Sequence, residues 1–115
     1  MKWILFMVTV FAIACTNNVA PPPPQTCDTS IVSYHNDIVP LILSSCFSCH
    51  SAPSPSAGIN LADSASFFFY VNEGSFYGAV SWDGSYALMP PDAKLDDCSM
   101  AKITKWKNEG YPANQ

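Results

Sequence analysis

The pentapeptide Cys46-Phe47-Ser48-Cys49-His50 restricts this chain more than any other feature of it. Two thiols separated by two residues serve three chemistries: a disulfide redox switch, half of a zinc site, or the two tethers of a covalently bound haem. A redox switch needs its cysteines at a strand-to-helix junction, and no alternating strand run or hairpin turn is legible. A zinc site needs four ligands at matched spacing, whereas the remaining candidates His35, His50, Cys27 and Cys98 are scattered singly. Only the third chemistry uses His50. Thiols one helical turn apart can add to the two vinyl groups on one edge of a porphyrin, and the next residue then lies beneath the iron with its imidazole free to coordinate.

Covalent attachment of this kind takes place outside the cytoplasm, and the start of the chain agrees with that. Residues 1–14 read as a signal peptide: Lys2, an apolar run of eleven residues from Trp3 to Ile13, and small residues at Ala12 and Ala14. The run is too short to span a bilayer as a helix. Cleavage after Ala14 would expose Cys15, and Ala12-Ile13-Ala14-Cys15 resembles the lipobox of bacterial lipoproteins, in which this cysteine is lipidated. The alternative is a soluble secreted protein cut at the same place. Thr16 to Thr26 carries four consecutive prolines and no charge. It is expected to be an extended spacer of roughly 30 Å. The expected organisation is therefore a signal peptide over 1–14, the lipidated Cys15 with a proline-rich linker over 15–26, and one domain over 27–115.

Five cysteines is an odd count for an exported chain. If Cys15 carries lipid and Cys46 with Cys49 carry haem, Cys27 and Cys98 remain and are expected to pair. The loop so closed would contribute roughly 4 kcal/mol on the chain-entropy account.

Caps and apolar spacing predict helices alone. A first helix is expected from about Asp37, with Ile38, Leu41, Ile42 and Cys46 at helical intervals and Pro40 in the first turn, so that the cysteine motif falls at its end. Ser51 to Gly58 reads as a loop. Asp63 or Ser64 caps a second helix that Gly74 stops, and Ser75 to Val80 reads as another turn or two. Asp96 caps the last helix, whose stripe of Met100, Ile103 and Trp106 runs to a stop at Gly110. Its Lys102, Lys105 and Lys107 form either a solvated face or a local docking patch. Phe67, Phe68, Phe69 and Tyr70 in a row cannot all face one core. They require a large flat apolar partner, a second layer or a crowded small core.

The motif Cys46-Phe47-Ser48-Cys49-His50, followed some forty residues later by Leu88-Met89-Pro90-Pro91 and then a terminal helix, resembles a class I c-type cytochrome. More closely, it is similar to the short, single-haem, often lipid-anchored cytochrome c domains of bacterial envelopes, over about Val32 to Gly110. The resemblance implies an all-α domain of three to five short helices with long loops wrapped around one covalent haem c. It implies thioethers at Cys46 and Cys49, His50 as proximal iron ligand and Met89 as distal ligand. On residue chemistry alone, Met89 lies in a loop with no hydrophobic period to explain it, whereas Met100 belongs to the core stripe. His35 remains the alternative sixth ligand.

An iron with both axial positions filled by protein carries one electron rather than transforming a substrate, and a methionine sulfur raises its potential relative to two imidazoles. No catalytic residue is expected, and the partners are redox proteins of the cell envelope, with the membrane reached through Cys15. Without Lys2 the chain has four lysines against nine acids, a net charge of −5, which argues against nucleic acid as a partner. The alternatives are a haem enzyme or gas or peroxide sensor, in which Met89 is displaced, and a structural lipoprotein without haem.

Overall fold

The computed structural model describes residues 26–114. The expected signal peptide, Cys15 and the spacer as far as residue 25 lie outside the described residues. Among the described residues there are four α-helices and no strand, so the domain is all-α as expected. A π-helical turn at Tyr34–Ile38 leads directly into α1 (Val39–Ser45), and a 3-10 turn at Ser56–Gly58 interrupts the following loop. Then come α2 (Ser64–Asn72), α3 (Ser75–Ser81) and, after a second loop, α4 (Asp97–Asn108). None of the described helices is long and apolar enough to cross a membrane.

The first helical segment begins three residues before the expected Asp37. Ser33 is its cap: its hydroxyl accepts from the Asn36 amide, and the Asp37 carboxylate accepts from the Ser33 amide in return. Pro40 explains the wider π turn that follows. A proline ring crowds the carbonyl four residues earlier and offers no N–H, and here the Ile38 and Val39 amides reach back five residues, to Ser33 and Tyr34. Asp63 caps α2 through the Ser66 amide, and Asp96 caps α4 through the Ser99 amide and hydroxyl. Gly74, at a φ of 90° that favours glycine, ends α2 and starts α3.

The core is built on Trp106, which is fully buried. Its ring is nearly parallel to those of Phe67 from α2 and Tyr34 from the π turn, with centroids 6.1 and 5.7 Å away, and Tyr111 meets it edge-on. Its indole N–H donates to the Pro112 carbonyl at 3.0 Å, which holds the chain end after α4 against the core. The aromatic run of α2 divides by helical geometry. Phe67 is buried, Phe68 is half-buried against Tyr34 and Trp106, Phe69 is 60 % exposed, and Tyr70 turns toward a separate cleft. A small crowded core therefore takes two of the four rings and a second surface takes another. Met100, expected in the core stripe, is half-buried against that core.

Two long-range ties hold α4 to the start of the domain. Cys27 and Cys98 form a disulfide with Cα atoms 5.4 Å apart, closing a sequence separation of 71 residues. Lys102 donates to the Asp37 carboxylate at 2.6 Å, an ion pair with both side chains partly buried. The other α4 lysines are also engaged: Lys105 pairs with Glu109 one turn on, and the Lys107 ammonium lies 4.7 Å from the centroid of the Tyr77 ring. The lysine face thus remains largely solvated, with each ammonium beside a local partner.

Peptide mapping without reduction is expected to recover Cys27 joined to Cys98, and the double Cys→Ser variant to lose about 2–4 kcal/mol of stability. Free thiols at both positions in mature protein would contradict the assignment. The Lys102 contact first, and then the Ser33 amide, hold the Asp37 carboxyl below its usual pKa, against the opposing effect of burial. Its contribution is therefore present above the unfolded carboxylate pKa of about 4 and lost as pH falls through the lower folded value. Asp37→Asn should cost about 1 kcal/mol at neutral pH, and in denaturant titrations that difference should vanish once the wild-type carboxyl is protonated.

Candidate functional site

The cysteine motif sits where α1 stops. Cys46 is the C-cap, its amide bonded to the Ile42 carbonyl, and the chain then turns tightly, with the Cys49 and His50 amides both donating to the Cys46 carbonyl. This turn leaves Cys46 half-buried, Cys49 exposed and His50 buried at 8 % exposure. Both thiols are free. Burial pushes the Cys46 thiol up to about 11, so it is protonated at neutral pH, the opposite of the lowered value a disulfide-exchange nucleophile requires.

His50 is fixed by the loop that follows. Its Nδ1 lies 3.2 Å from the Ile59 carbonyl oxygen, and its own carbonyl accepts from the Leu61 amide at 2.8 Å. A carbonyl cannot donate, so Nδ1 carries the hydrogen, and in the neutral ring the lone pair falls on Nε2. An imidazole braced in this way through its far nitrogen is the usual arrangement of a metal-ligating histidine. Neither Ile59 nor Leu61 was identifiable from residue type, because both act through the main chain.

His50 and Cys46 line an open cleft with about 650 Å³ of unfilled space, solvent at its mouth included. Ile59 and Leu61 come from the first loop, Tyr70 from α2, and Ser75, Phe76, Ala79 and Val80 from α3. Tyr86, Ala87 and Met89 come from the second loop. The Tyr86 ring rests directly on α3, where a Cβ on Gly78 would overlap it, so glycine in mid-helix permits this approach. The lining carries no charged side chain.

Met89 therefore reaches the same cleft as His50, from a loop some forty residues further along the chain. Both of its backbone polar groups are taken: its amide donates to the Ala79 carbonyl and its carbonyl accepts from the Trp82 indole, each at 3.0 Å. His35 is exposed on the π turn, packed against the Tyr34 ring, and Met100 packs against the core. Neither lines the cleft. Cys49 is also outside the lining. Cys27 and Cys98 are committed to each other and so are not partners for a zinc site with Cys46 and Cys49. Among the described residues no three His, Cys, Asp or Glu side chains converge as a metal cluster.

An imidazole engaged through Nδ1 and a thioether side chain line one apolar cleft and offer it two potential donors. Such a pair suits a metal whose remaining coordination comes from a flat organic macrocycle, and it suits a hydrated ion poorly. No protein-family model matches the chain, and neither the curated proteins nor the solved structures contain a match to it.

Proposed function

We propose that the chain is a single-haem c-type cytochrome that carries one electron at a time in the bacterial cell envelope, with His50 and Met89 as axial ligands. One observation carries this reading above the rest. The imidazole that ends the Cys46-Phe47-Ser48-Cys49-His50 motif is buried and braced through Nδ1, and it shares an apolar cleft with the thioether of Met89.

Haem held by two protein axial ligands supplies reversible one-electron chemistry with little rearrangement. The residues divide the remaining work. Cys46 and Cys49 would add their thiols across the two vinyl groups, which fixes the group in the chain without altering the electron count. The Ile59 carbonyl holds the His50 ring in orientation, and the Leu61 amide holds the His50 backbone. Phe76, Val80, Leu61 and the Tyr86 ring keep water from the faces of the cleft, and a low-dielectric surrounding favours the ferrous form. The uncharged lining supports a carrier over a peroxide-handling enzyme, which would place an acid or base beside the open coordination position. By the same reading the domain is exported and anchored through a lipidated Cys15.

Protein made with a c-type maturation system is expected to show six-coordinate low-spin haem. Met89→Ala should keep the covalent haem and abolish the weak long-wavelength sulfur-to-iron band of the ferric form, while Met100→Ala should keep that band. Absence of a Soret band from the wild type, or a band surviving in Met89→Ala, would sink the assignment. Cys15→Ser should move the intact holoprotein from the membrane to the soluble envelope fraction on cell fractionation.

A further inference from the structure

Met89 lies in the non-helical stretch between α3 and α4, and its immediate surroundings are wet. Residues 83–88 and 91–94 are exposed, including Tyr86 at 45 % and Leu88 at 41 %. Apart from the Tyr86 ring seated on α3, the loop packs sparsely, so the two backbone bonds of Met89 are its direct anchors. One goes to the Ala79 carbonyl, a main-chain group at the end of α3. The other comes from a side chain, the indole of Trp82.

Trp82 is an unusual residue for its place. It caps α3 in the left-handed region at φ 58°, where glycine is the ordinary occupant because a Cβ is disfavoured. A bulky side chain carries a conformational cost there, as it also does at Tyr111. The Trp82 indole N–H meets the Met89 carbonyl, and the Lys94 ammonium lies 5.5 Å from the ring centroid, so the loop returns to the same indole at residues 89 and 94.

We infer that Trp82 is the positioning residue of the distal ligand: its indole N–H holds the Met89 backbone against the end of α3, so that the thioether resists displacement from the iron. This rests on the proposed function and adds to it the residue that sets how firmly the sixth position is closed. A ligand on a loop with few packing contacts dissociates by local opening, and removing one of its two backbone anchors makes that opening more frequent.

The test compares wild-type holoprotein with Trp82→Phe and Trp106→Phe, each of which keeps an aromatic ring and loses one indole hydrogen bond to a carbonyl. Titration of the ferric proteins with imidazole should show Trp82→Phe binding roughly five- to tenfold more tightly than wild type, the equivalent of one lost hydrogen bond. Trp106→Phe should melt earlier yet keep the wild-type imidazole affinity. Unchanged affinity in Trp82→Phe, or an equal gain in both variants, overturns the inference. A wild type with covalent low-spin haem and its sulfur-to-iron band, combined with an unresponsive Trp82→Phe, overturns this inference alone. A wild type without haem overturns the proposed function and the inference together. Should Trp82→Phe fail to assemble, hydrogen exchange in the wild-type holoprotein decides: the Trp82 indole and the Met89 amide must exchange in one concerted opening, slower than the Tyr86 and Leu88 amides. Independent exchange of the two groups overturns the inference.

Discussion

The fold depends on the stack of Phe67, Trp106 and Tyr34, because these three rings belong to α2, α4 and the π turn and meet at one fully buried indole. Offset parallel rings at this spacing contribute through buried area and through their quadrupoles. Phe76 of α3 joins the stack edge-on through Phe67. Tyr70 and Ala79 of these helices line the cleft, and the buried Phe76 and Val80 border both it and the core. The same two helices thus serve both the core and the cleft.

The segments that carry His50 and Met89, the proposed ligands, are held by hydrogen bonds as well as by packing. His50 is braced by the Ile59 carbonyl and the Leu61 amide, and Met89 by the Ala79 carbonyl and the Trp82 indole. In each case the bonds also solve a local problem of the chain. The His50 carbonyl and the terminal carbonyl of α3 would otherwise need water as a partner. On the proposed reading, the Met89 amide both satisfies a carbonyl in the last turn of α3 and helps to place a ligand.

Much of this was legible before any coordinates. Asp63 and Asp96 announced their helices because a short acidic side chain before an apolar run satisfies a free amide. The Cys27–Cys98 pairing followed from assigning every other thiol. What stayed hidden has a physical reason in each instance. The early start of the first helical segment depends on how the chain relieves Pro40, and the i to i+5 bonds that do so leave no periodic mark over five residues. Lys102 looked like one lysine of a solvated face, because its partner Asp37 is 65 positions away in sequence. Ile59, Leu61 and Ala79 act through backbone atoms that every residue owns. Trp82 could not be separated from an ordinary surface aromatic until its left-handed φ and the Met89 carbonyl were seen together.

On the proposed reading, the covalent tether also answers a problem of size. The described core contains eleven buried apolar side chains, a modest number for a domain with loops as long as residues 51–63 and 82–96. The half-buried Ile59, Leu61 and Met89 present further apolar surface to the cleft. A large flat apolar group bound there would bury that surface and stabilise the folded state by mass action. Thioether bonds at Cys46 and Cys49 would make this gain independent of the concentration of free group. The disulfide and the Lys102–Asp37 pair involve no cleft residue and tie the start of the described chain to α4. The two kinds of constraint divide the chain between them: one set closes the aromatic core, and the other would close the cleft.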